Sequence, residues 1–274
     1  MKKLVCTLFI ISFATALFAQ DDDKGDKKVK LGISVTPALN WLTPDNANKV
    51  KPGGVALKAG IGLVVDIRLT NIIWLHTGLE YTGAGGKLNY TGNDTAFYYY
   101  KDDKINPVGV NSVGNPYNST GSSNGTSYRL TNRAYKVGYV HLPIGFKLKT
   151  KELGGITYFG QIGGDLFFKT SANGKDDVAK DITGTTSTFS KNSLDDAVNF
   201  FNAAAHVGAG LEYRISGSTA LMASLQYRHG MTNFTADATN NLLRTSGNLG
   251  NSAISQFSNG SKLRQVVLTV AIMF

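Results

Sequence analysis

The feature that most constrains this chain is the alternation of apolar and polar residues in eight separate segments. A period of two is typical of a β-strand whose two faces meet different surroundings. In the last segment Val266, Leu268, Val270, Ile272 and Phe274 share one apolar face, while the residues between them are mixed. Each segment is long enough for a membrane strand, which needs roughly 9–11 residues. The segments are 30–41, 55–69, 72–82, 134–149, 155–168, 203–214, 219–231 and 265–274.

The connections between these segments alternate between short and long. Three connections are tight, namely those around Asn71, at 150–154 and at 215–218, whereas those at 42–53, 83–133, 169–201 and 232–261 are long. Outer-membrane barrels have short periplasmic turns and longer extracellular loops. The pattern therefore predicts an all-β fold over 30–274, an eight-stranded antiparallel up-and-down transmembrane β-barrel with long extracellular loops.

The first 29 residues carry the marks of export. Lys2 and Lys3 precede an apolar run of about 15 residues, which is shorter than the ~20 residues that a spanning helix needs. We predict a cleaved signal peptide over 1–19 and a flexible charged leader over 20–29. The only cysteine, Cys6, lies in the signal peptide. A processed chain would have no cysteine, which excludes disulfides, cysteine zinc sites and cysteine nucleophiles.

Charge and composition exclude other classes of protein. The formal net charge is +9, but the basic residues are scattered and form no dense block interleaved with aromatic residues, so no nucleic-acid partner is expected. The chain has no second long apolar run, and its 31 Gly, 12 Tyr and 14 Phe are typical of a turn-rich β-protein. A chain without a second long apolar run can cross a membrane only as a closed barrel. The residues of its strands alternate between apolar and polar, and neighbouring strands satisfy each other's backbone hydrogen bonds.

Aromatic residues lie near the ends of the predicted strands. Tyr and Trp side chains settle at the interfaces between membrane and water, where they form girdles around a barrel. The residues assigned to these girdles are Trp41, Tyr81, Tyr135, Tyr158, Phe168, Tyr213, Tyr227 and Phe274.

The faces that alternate with the apolar ones collect charged residues of both signs. An eight-stranded barrel is just wide enough for side chains to fill it, so we predict that these residues pair into a plug, with a conducting pore as the alternative. Histidines 76, 141 and 206 with Glu80 or Glu212 lack the spacing of a metal site, and no cofactor is expected. The predicted lumen charge network comprises Lys58, Asp66, Arg68, His76, Glu80, His141, Lys147, Lys149, Asp165, His206, Glu212, Arg214 and Arg228.

Enzymatic activity has little support in the sequence. The H-E-x-x-H motif does not occur, and the one G-x-S-x-G match, GSSNG at 121–125, lies in the predicted loop 83–133 rather than at a turn from a strand into a helix. His229, near the outer end of the seventh strand, is the one candidate for a catalytic base, although no residue at fixed spacing supports it. A Ser-x-x-Asp pattern at Ser193–Asp196 suggests a short helix near 194–201.

Four segments together resemble the PorT-like outer-membrane β-barrel proteins of Bacteroidota. The segment 139–148, YVHLPIGFKL, is similar to that family's Y-L-x-I-P-L-x-x-K strand, although Val140 and His141 replace the commoner Leu and Glu. The segments 78–82 (GLEYT), 208–213 (GAGLEY) and 227–233 (YRHGMTN) resemble other strands of the family in the same order. The resemblance implies a role linked to protein secretion and maturation. It also implies that Phe274 is a C-terminal signal read by the barrel-assembly machinery.

These observations favour a non-enzymatic outer-membrane protein. Its expected partners are outer-membrane lipid, the barrel-assembly machinery, and another envelope protein or an extracellular ligand bound through loops 83–133, 169–201 and 232–261. The second hypothesis is a small passive pore or a ligand-uptake barrel, and a weaker third is an outer-membrane enzyme. Loops carry function in many scaffolds, and the unusual length of 83–133 leaves the partner open.

Overall fold

The computed structural model describes residues 28–47, 50–90, 95–101, 104–106, 127–180, 186–236, 243–246, 253–256 and 260–274. The predicted signal peptide, and the leader apart from residues 28 and 29, lie outside these residues. Within them the backbone forms 17 strands, which in chain order are β1 (Val29–Val35), β2 (Ala38–Pro44), β3 (Val50–Pro52), β4 (Ala56–Lys58), β5 (Gly60–Arg68), β6 (Ile73–Ala84), β7 (Lys87–Tyr90), β8 (Thr95–Lys101), β9 (Lys104–Asn106), β10 (Ser127–Lys149), β11 (Ile156–Lys180), β12 (Thr186–Ser193), β13 (Phe201–Ser216), β14 (Thr219–Gly230), β15 (Leu243–Ser246), β16 (Ala253–Gln256) and β17 (Ser261–Met273).

Eight antiparallel strands close into a ring, which confirms the predicted barrel. The order around the ring is β1, β5, β6, β10, β11, β13, β14 and β17. The strand β17 then pairs with β1 from Gly32↔Met273 to Val35↔Val270, which completes the circle. The strand β2 continues the path of β1 and pairs with β17, and β4 precedes β5 in the same way. Because the ring is closed, its strands leave no unpaired edge toward lipid.

The barrel is apolar outside and polar inside. Leu63 and Leu79 pair across β5 and β6 and are 58% and 50% exposed, whereas Asp66 between them and the turn is fully buried. This inversion is the arrangement expected of a strand with one face on lipid and the other on a filled lumen. We call the belt of exposed apolar side chains on the ring strands the apolar band.

Aromatic residues border the apolar band at both ends. Tyr158, Tyr213 and Phe274 are exposed at the end with short turns, while Tyr81 and Phe168 are exposed at the opposite end. The backbone N–H of Phe274 donates to the carbonyl of Leu31 at 2.7 Å, which holds the last residue against the first strand. Trp41 and Tyr227 are half-buried and contact each other with ring centroids 6.3 Å apart.

The assignment of Tyr135 to a girdle was wrong. Its side chain is only 4% exposed and lies inside the barrel, beyond the apolar band. Tyr135 lies near the beginning of the strand predicted over 134–149, and this position suggested a ring at the membrane interface. However, β10 begins at Ser127, seven residues before the predicted strand. Tyr135 is therefore an interior residue of a longer strand.

The long connections contain more regular structure than expected. The strands β10 and β11 have 23 and 25 residues, so each extends about 12 residues past the 9–11 that a membrane crossing needs. The strand β8 pairs with β10, β9 and β15, and β15 pairs with β16. Segments from 83–133 and 232–261 thus join in one sheet, which we call the extracellular sheet. Continuing the ladder satisfies backbone groups that a loop would leave to water.

The predicted helix near 194–201 was also wrong. The structure has only a three-residue 3-10 helix, Asp195–Ala197, and Ser193 donates its hydroxyl to the Asp195 carboxylate at 3.0 Å instead of capping the backbone. Val198 is already extended and forms a β-bridge with Thr235. The described residues contain no helix that is both long enough and apolar enough to cross a membrane.

Candidate functional site

A cluster around Asp66 occupies the end of the lumen nearest the short turns. Asp66 accepts hydrogen bonds from the ammonium of Lys147 at 2.9 and 3.1 Å and from that of Lys149 at 3.3 Å. The Nδ1 atom of His76 lies 2.7 Å from the same carboxylate. All four side chains are buried, and they come from the adjacent strands β5, β6 and β10. They meet because paired residues of adjacent strands lie on the same face of the sheet, which here is the inner one.

Glu212 extends this cluster across the barrel. Its carboxylate accepts a hydrogen bond from Lys149 at 2.5 Å, and Lys30 lies 3.7 Å away. The ammonium of Lys149 also lies 4.3 Å from the ring centroid of Trp74. Cations placed over aromatic faces in a desolvated site gain about 2 kcal/mol or more, so the rings replace part of the lost hydration.

A second cluster lies further from the short turns and is centred on His141. Its Nδ1 atom is 3.2 Å from Glu80 and its Nε2 atom is 2.8 Å from Asp165. Asp165 also contacts Nδ1 of His206 at 2.9 Å and Nε of Arg228 at 3.7 Å. The hydroxyl of Thr36 donates to the other oxygen of Glu80. These contacts join side chains from five ring strands, β6, β10, β11, β13 and β14, and from Thr36 directly after β1.

Small residues make room for these polar side chains. A Cβ atom on Gly60 would stand 2.1 Å from the carboxylate of Glu80, and one on Gly163 would stand 2.8 Å from the ring of His206. Glycine at an inward strand position permits this close approach. The glycines that the sequence spaces along β5 and β11 are thus part of the interior packing.

The two clusters contain equal numbers of carboxylates and of lysine or arginine side chains. Their four buried carboxylates (Asp66, Glu80, Asp165 and Glu212) face the four cations Lys30, Lys147, Lys149 and Arg228. Removing one partner of such a buried pair leaves an uncompensated charge, which costs about 3–5 kcal/mol. The contents of the lumen are consequently interdependent.

An apolar layer covers the second cluster toward the extracellular side. Phe234 is fully buried there, with its ring centroid 5.8 Å from that of Tyr135 and 6.3 Å from that of Tyr139. The segments 194–200 and 231–236 fold inward over the barrel mouth, where Asn199 donates to the Phe234 carbonyl at 3.0 Å and Ala236 donates to the Ala197 carbonyl at 3.1 Å. We call this layer the apolar plug.

The sequence profile of the family described as outer membrane protein beta-barrel domain matches residues 18–236, which is well over half of the 274 residues. The chain belongs to this family. It is accordingly a protein of the outer membrane, and its ring of eight strands crosses that membrane.

Solved outer-membrane barrels resemble this outer membrane barrel at low identity. Ail, the attachment invasion locus protein of Yersinia pestis, is 11% identical over 90% of this chain and 100% of its own, with a TM-score of 0.34. Neisserial surface protein A is 10% identical over 91% and 98%, with a TM-score of 0.36. The outer membrane protease OmpT of Escherichia coli is 10% identical over 93% and 99%, with a TM-score of 0.32. No curated protein matches the chain.

Beyond the apolar band, the interior of this outer membrane barrel holds another buried ion pair. Arg133 donates to both oxygens of Asp176, at 2.7 and 2.8 Å, and Asn192 donates to the same carboxylate at 3.1 Å. Burial lowers the pKa of the Arg133 guanidinium, but the neighbouring Asp176 carboxylate outweighs it and holds that pKa well above its ordinary value. Burial likewise raises the pKa of the nearby Tyr90 phenol well above its usual range. Arg133 therefore remains charged and Tyr90 remains neutral.

Three residues predicted for the lumen network lie elsewhere. Arg214 is half-exposed and pairs with Glu152 in the turn between β11 and its predecessor β10. Arg68 donates to Asn71 at 2.8 Å in the turn before β6. Lys58 lines a cleft with Lys136 instead. Arg68 and Arg214 lie at or near the ends of their strands. A side chain there can be on the inward face of its strand and still lie outside the lumen.

Two residues that contact the network, Lys30 and Thr36, were not among those predicted for it. The alternation of polar and apolar residues along 33–36 was the sequence signal that could have identified this inward face. The structure follows it, since Ser34 and Thr36 are buried while Ile33 and Val35 are exposed. Aromatic residues whose rings contact the lysines, such as Trp74, could not be distinguished by sequence from aromatic residues that face lipid.

The residues considered for catalysis or metal binding have other surroundings. His229 is exposed on the outside, and its Nδ1 accepts a hydrogen bond from Arg264 at 2.9 Å. Its other described contact is the hydroxyl of Tyr227 at 3.4 Å, so the neighbours do not resemble the acid and nucleophile that orient a catalytic histidine. Throughout the described part of the chain, no group of three or more His, Cys, Asp and Glu side chains is placed to hold a metal ion.

Proposed function

We propose that this outer-membrane protein is a non-enzymatic barrel with a closed lumen, and that it binds another macromolecule of the envelope through its extracellular sheet. The single observation that carries the proposal is the burial of the lumen side chains. Asp66, His141, Lys147 and Asp165 each have no exposed surface, although they lie in the middle of the barrel. An interior filled in this way leaves the outer surface as the place for recognition.

The contacts of the interior further support a closed barrel. Charged side chains in an open pore are hydrated, whereas these pair with one another, and the apolar plug lies between them and the extracellular side. Opening a path would require separating buried ion pairs as well as moving Phe234. The alternatives of a passive pore or a ligand-uptake barrel need that path.

The extracellular sheet supports the second half of the proposal. The strands β10 and β11 extend about 40 Å past the apolar band, at about 3.3 Å for each of some 12 residues. The strands β8 and β15 add to this sheet from two different connections. Sheet that continues beyond a membrane offers a rigid platform for a partner, and additional strands can be recruited at its edge.

Replacing residues 95–126 with a short glycine-serine linker tests the binding role. Asn89 pairs with Asn132, so the two ends lie on adjacent strands, and the replacement leaves Tyr90 and Arg133 in place. We expect cross-linking in intact cells to lose a cross-linked species that the wild-type barrel forms. The matched control replaces Lys151 and Glu152 in a turn on the opposite side with serine. Retention of every cross-linked species by the shortened barrel would contradict the proposal.

The resemblance to PorT-like barrels supports a component of protein secretion as the partner. Under this narrower proposal, the same replacement lowers the amount of protein secreted into the medium, while the amount of folded barrel in the outer membrane stays constant. Secretion at the wild-type level together with a lost cross-linked species would keep the binding role and remove the link to secretion.

A further proposal concerns Phe274 and the barrel-assembly machinery. Its ring is exposed on the apolar band, and two backbone hydrogen bonds, at 2.7 and 3.4 Å, join it to Leu31. We expect deletion of Phe274 to reduce the yield of folded barrel in cells several-fold, while the refolded protein loses only about 1–3 kcal/mol for those hydrogen bonds. Heat-modifiable gel migration of outer-membrane fractions measures the yield. Assembly at full yield would remove this role.

A further inference from the structure

A cleft of about 470 Å³ lies on the barrel beyond the apolar band. Its walls come from β4, β7, β10, β11 and β12, together with Gly86 just before β7. Five of the lining residues are lysines, and none is acidic. These are Lys58, Lys87, Lys136, Lys175 and Lys191.

The lysines on β7, β10 and β11 project from the outer face of the sheet. Ala134 on β10 pairs with Lys87 on one side and Lys175 on the other, and Lys136 pairs with Asn173. Paired residues of antiparallel strands lie on the same face. Tyr135, the intervening residue of β10, is buried inside the barrel, so Lys136 and its partners face outward.

The height of the cleft places it at the membrane surface. Val140 pairs with the exposed Tyr81 and Phe168, which mark the outer border of the apolar band. Lys136 lies four residues further along β10, which is about 13 Å of strand. With a strand tilt of 35–45°, the rise is about 10 Å along the membrane normal. This is the level of lipid headgroups.

The charges of the cleft are not neutralised by the protein around it. Within the described residues, none of the five lysines forms an ion pair, whereas the buried lysines of the lumen each contact a carboxylate. Lys58 is half-buried, so it has lost part of its hydration without an acidic neighbour in the cleft. Several like charges brought together in this way repel one another unless an anion binds among them.

The backbone at Lys191 turns its side chain toward this group. Lys191 has a φ of 65°, and in the described part of the chain it is the only residue other than glycine with a positive φ. It occupies a bulge where the pairing of β11 with β12 shifts between Gly174 and Lys175. Bulges are used to redirect a side chain, and left-handed backbone is unfavourable for lysine.

We propose that this lysine cleft binds the phosphate groups of an anionic glycolipid headgroup in the outer leaflet. Lysine recognises phosphate as a mobile point charge with three donors. The cleft has the size of sites that hold small ligands, which is about 300–1,000 Å³. A lipid is favoured over a free glycan because Lys87, Lys136 and Lys175 face outward, directly above the apolar band. A lipid's acyl chains can lie along the barrel there while its headgroup enters the cleft.

The proposal does not depend on the binding role of the extracellular sheet. The lysine cleft lies at the base of that sheet, outside the residues 95–126 whose replacement tests the partner. Loss of lipid binding with intact cross-linking, or the reverse, therefore distinguishes the two.

The test titrates full-length barrel in neutral detergent with bis-phosphorylated lipid A and measures binding by native mass spectrometry. We expect the Lys136→Gln, Lys175→Gln double variant to bind at least tenfold more weakly than wild type, and dephosphorylated lipid A to lose affinity to a similar degree. The matched control is Lys28→Gln, Lys151→Gln, which removes the same charge from exposed lysines near the short turns and should leave the affinity unchanged.

Three results would overturn the proposal. The first is equal binding of phosphorylated and dephosphorylated lipid A, and the second is equal loss of affinity in the control variant. In the third, a soluble sulfated oligosaccharide binds the cleft as tightly as the phosphorylated lipid, which would identify a free polyanion as the ligand. Heat-modifiable migration of each variant verifies that it is folded, and all four substitutions are at exposed positions.

Discussion

Replacing Asp66 with asparagine is expected to lower the free energy of unfolding of the barrel by about 3–5 kcal/mol. The substitution keeps the shape of the side chain but removes the negative charge that faces Lys147 and Lys149 at 2.9 and 3.3 Å. Both ammonium groups are buried in the lumen. Without Asp66 they repel each other, and Glu212 alone remains to balance them. Urea unfolding of the protein refolded in lipid vesicles measures the change.

Two control variants separate this effect from a general weakness of the fold. Arg214→Gln removes a half-exposed charge that pairs with Glu152 in a turn, and such pairs contribute about 0–1 kcal/mol. The double variant Asp66→Asn, Lys147→Met removes one cation together with the anion, and it should recover part of the lost stability. An Asp66→Asn variant within 1 kcal/mol of wild type would mean that water, and not the ion pairs, stabilises the lysines.

Replacing Leu79 with arginine is expected to cost about 2–4 kcal/mol when the barrel is in a bilayer. Leu79 is 50% exposed and pairs with Leu63 on the outer face, within the apolar band and two residues from Tyr81 at its border. A charge there must leave water for hydrocarbon. Reversible unfolding from vesicles gives the difference in free energy between the variant and the wild-type barrel.

The comparison for Leu79 is an arginine at an exposed position outside the membrane. Thr186 on β12 is exposed and lies in the extracellular sheet, so Thr186→Arg should change stability by no more than about 0.5 kcal/mol. If Leu79→Arg were equally mild, the exposed apolar face would be in contact with water. The assignment of that face to lipid would then be wrong.

Much of the barrel follows from a local rule that the sequence displays. Strand side chains alternate between two faces, so Asp66, His76 and Lys147 could be placed inside before any contact was known. The alternation also located the strands that form the ring. The rule works because the membrane imposes one apolar face along the whole length of each crossing.

The same rule is less informative where the membrane ends. Arg214 and Tyr135 were misplaced because alternation gives a direction but not a height along the barrel. Beyond the apolar band both faces of a strand can be polar, so the extensions of β10 and β11 have no lipid-facing pattern and were assigned to loops. These extensions pair with strands from other connections, such as β10 with β8 and β11 with β12.

The apolar plug illustrates a different limit. Phe234 follows β14 in a connection that has no strand periodicity, and its burial depends on Tyr135 and Tyr139, about 100 residues earlier in the chain. The lysine cleft is likewise assembled from five separate strands, β4, β7, β10, β11 and β12. No spacing in the sequence indicates either feature, since both arise from the way the barrel closes.

Recordings from planar bilayers test the closed lumen most directly. The purified wild-type barrel, inserted with its ion-paired clusters and apolar plug intact, should produce no steady channels, while an open porin measured under the same conditions should conduct. Failure of the barrel to insert is recognised by protease protection and heat-modifiable migration of the same vesicles. Stable, uniform conductance steps from the inserted wild-type barrel would contradict the account, because ions would then be passing the residues that we describe as buried and paired.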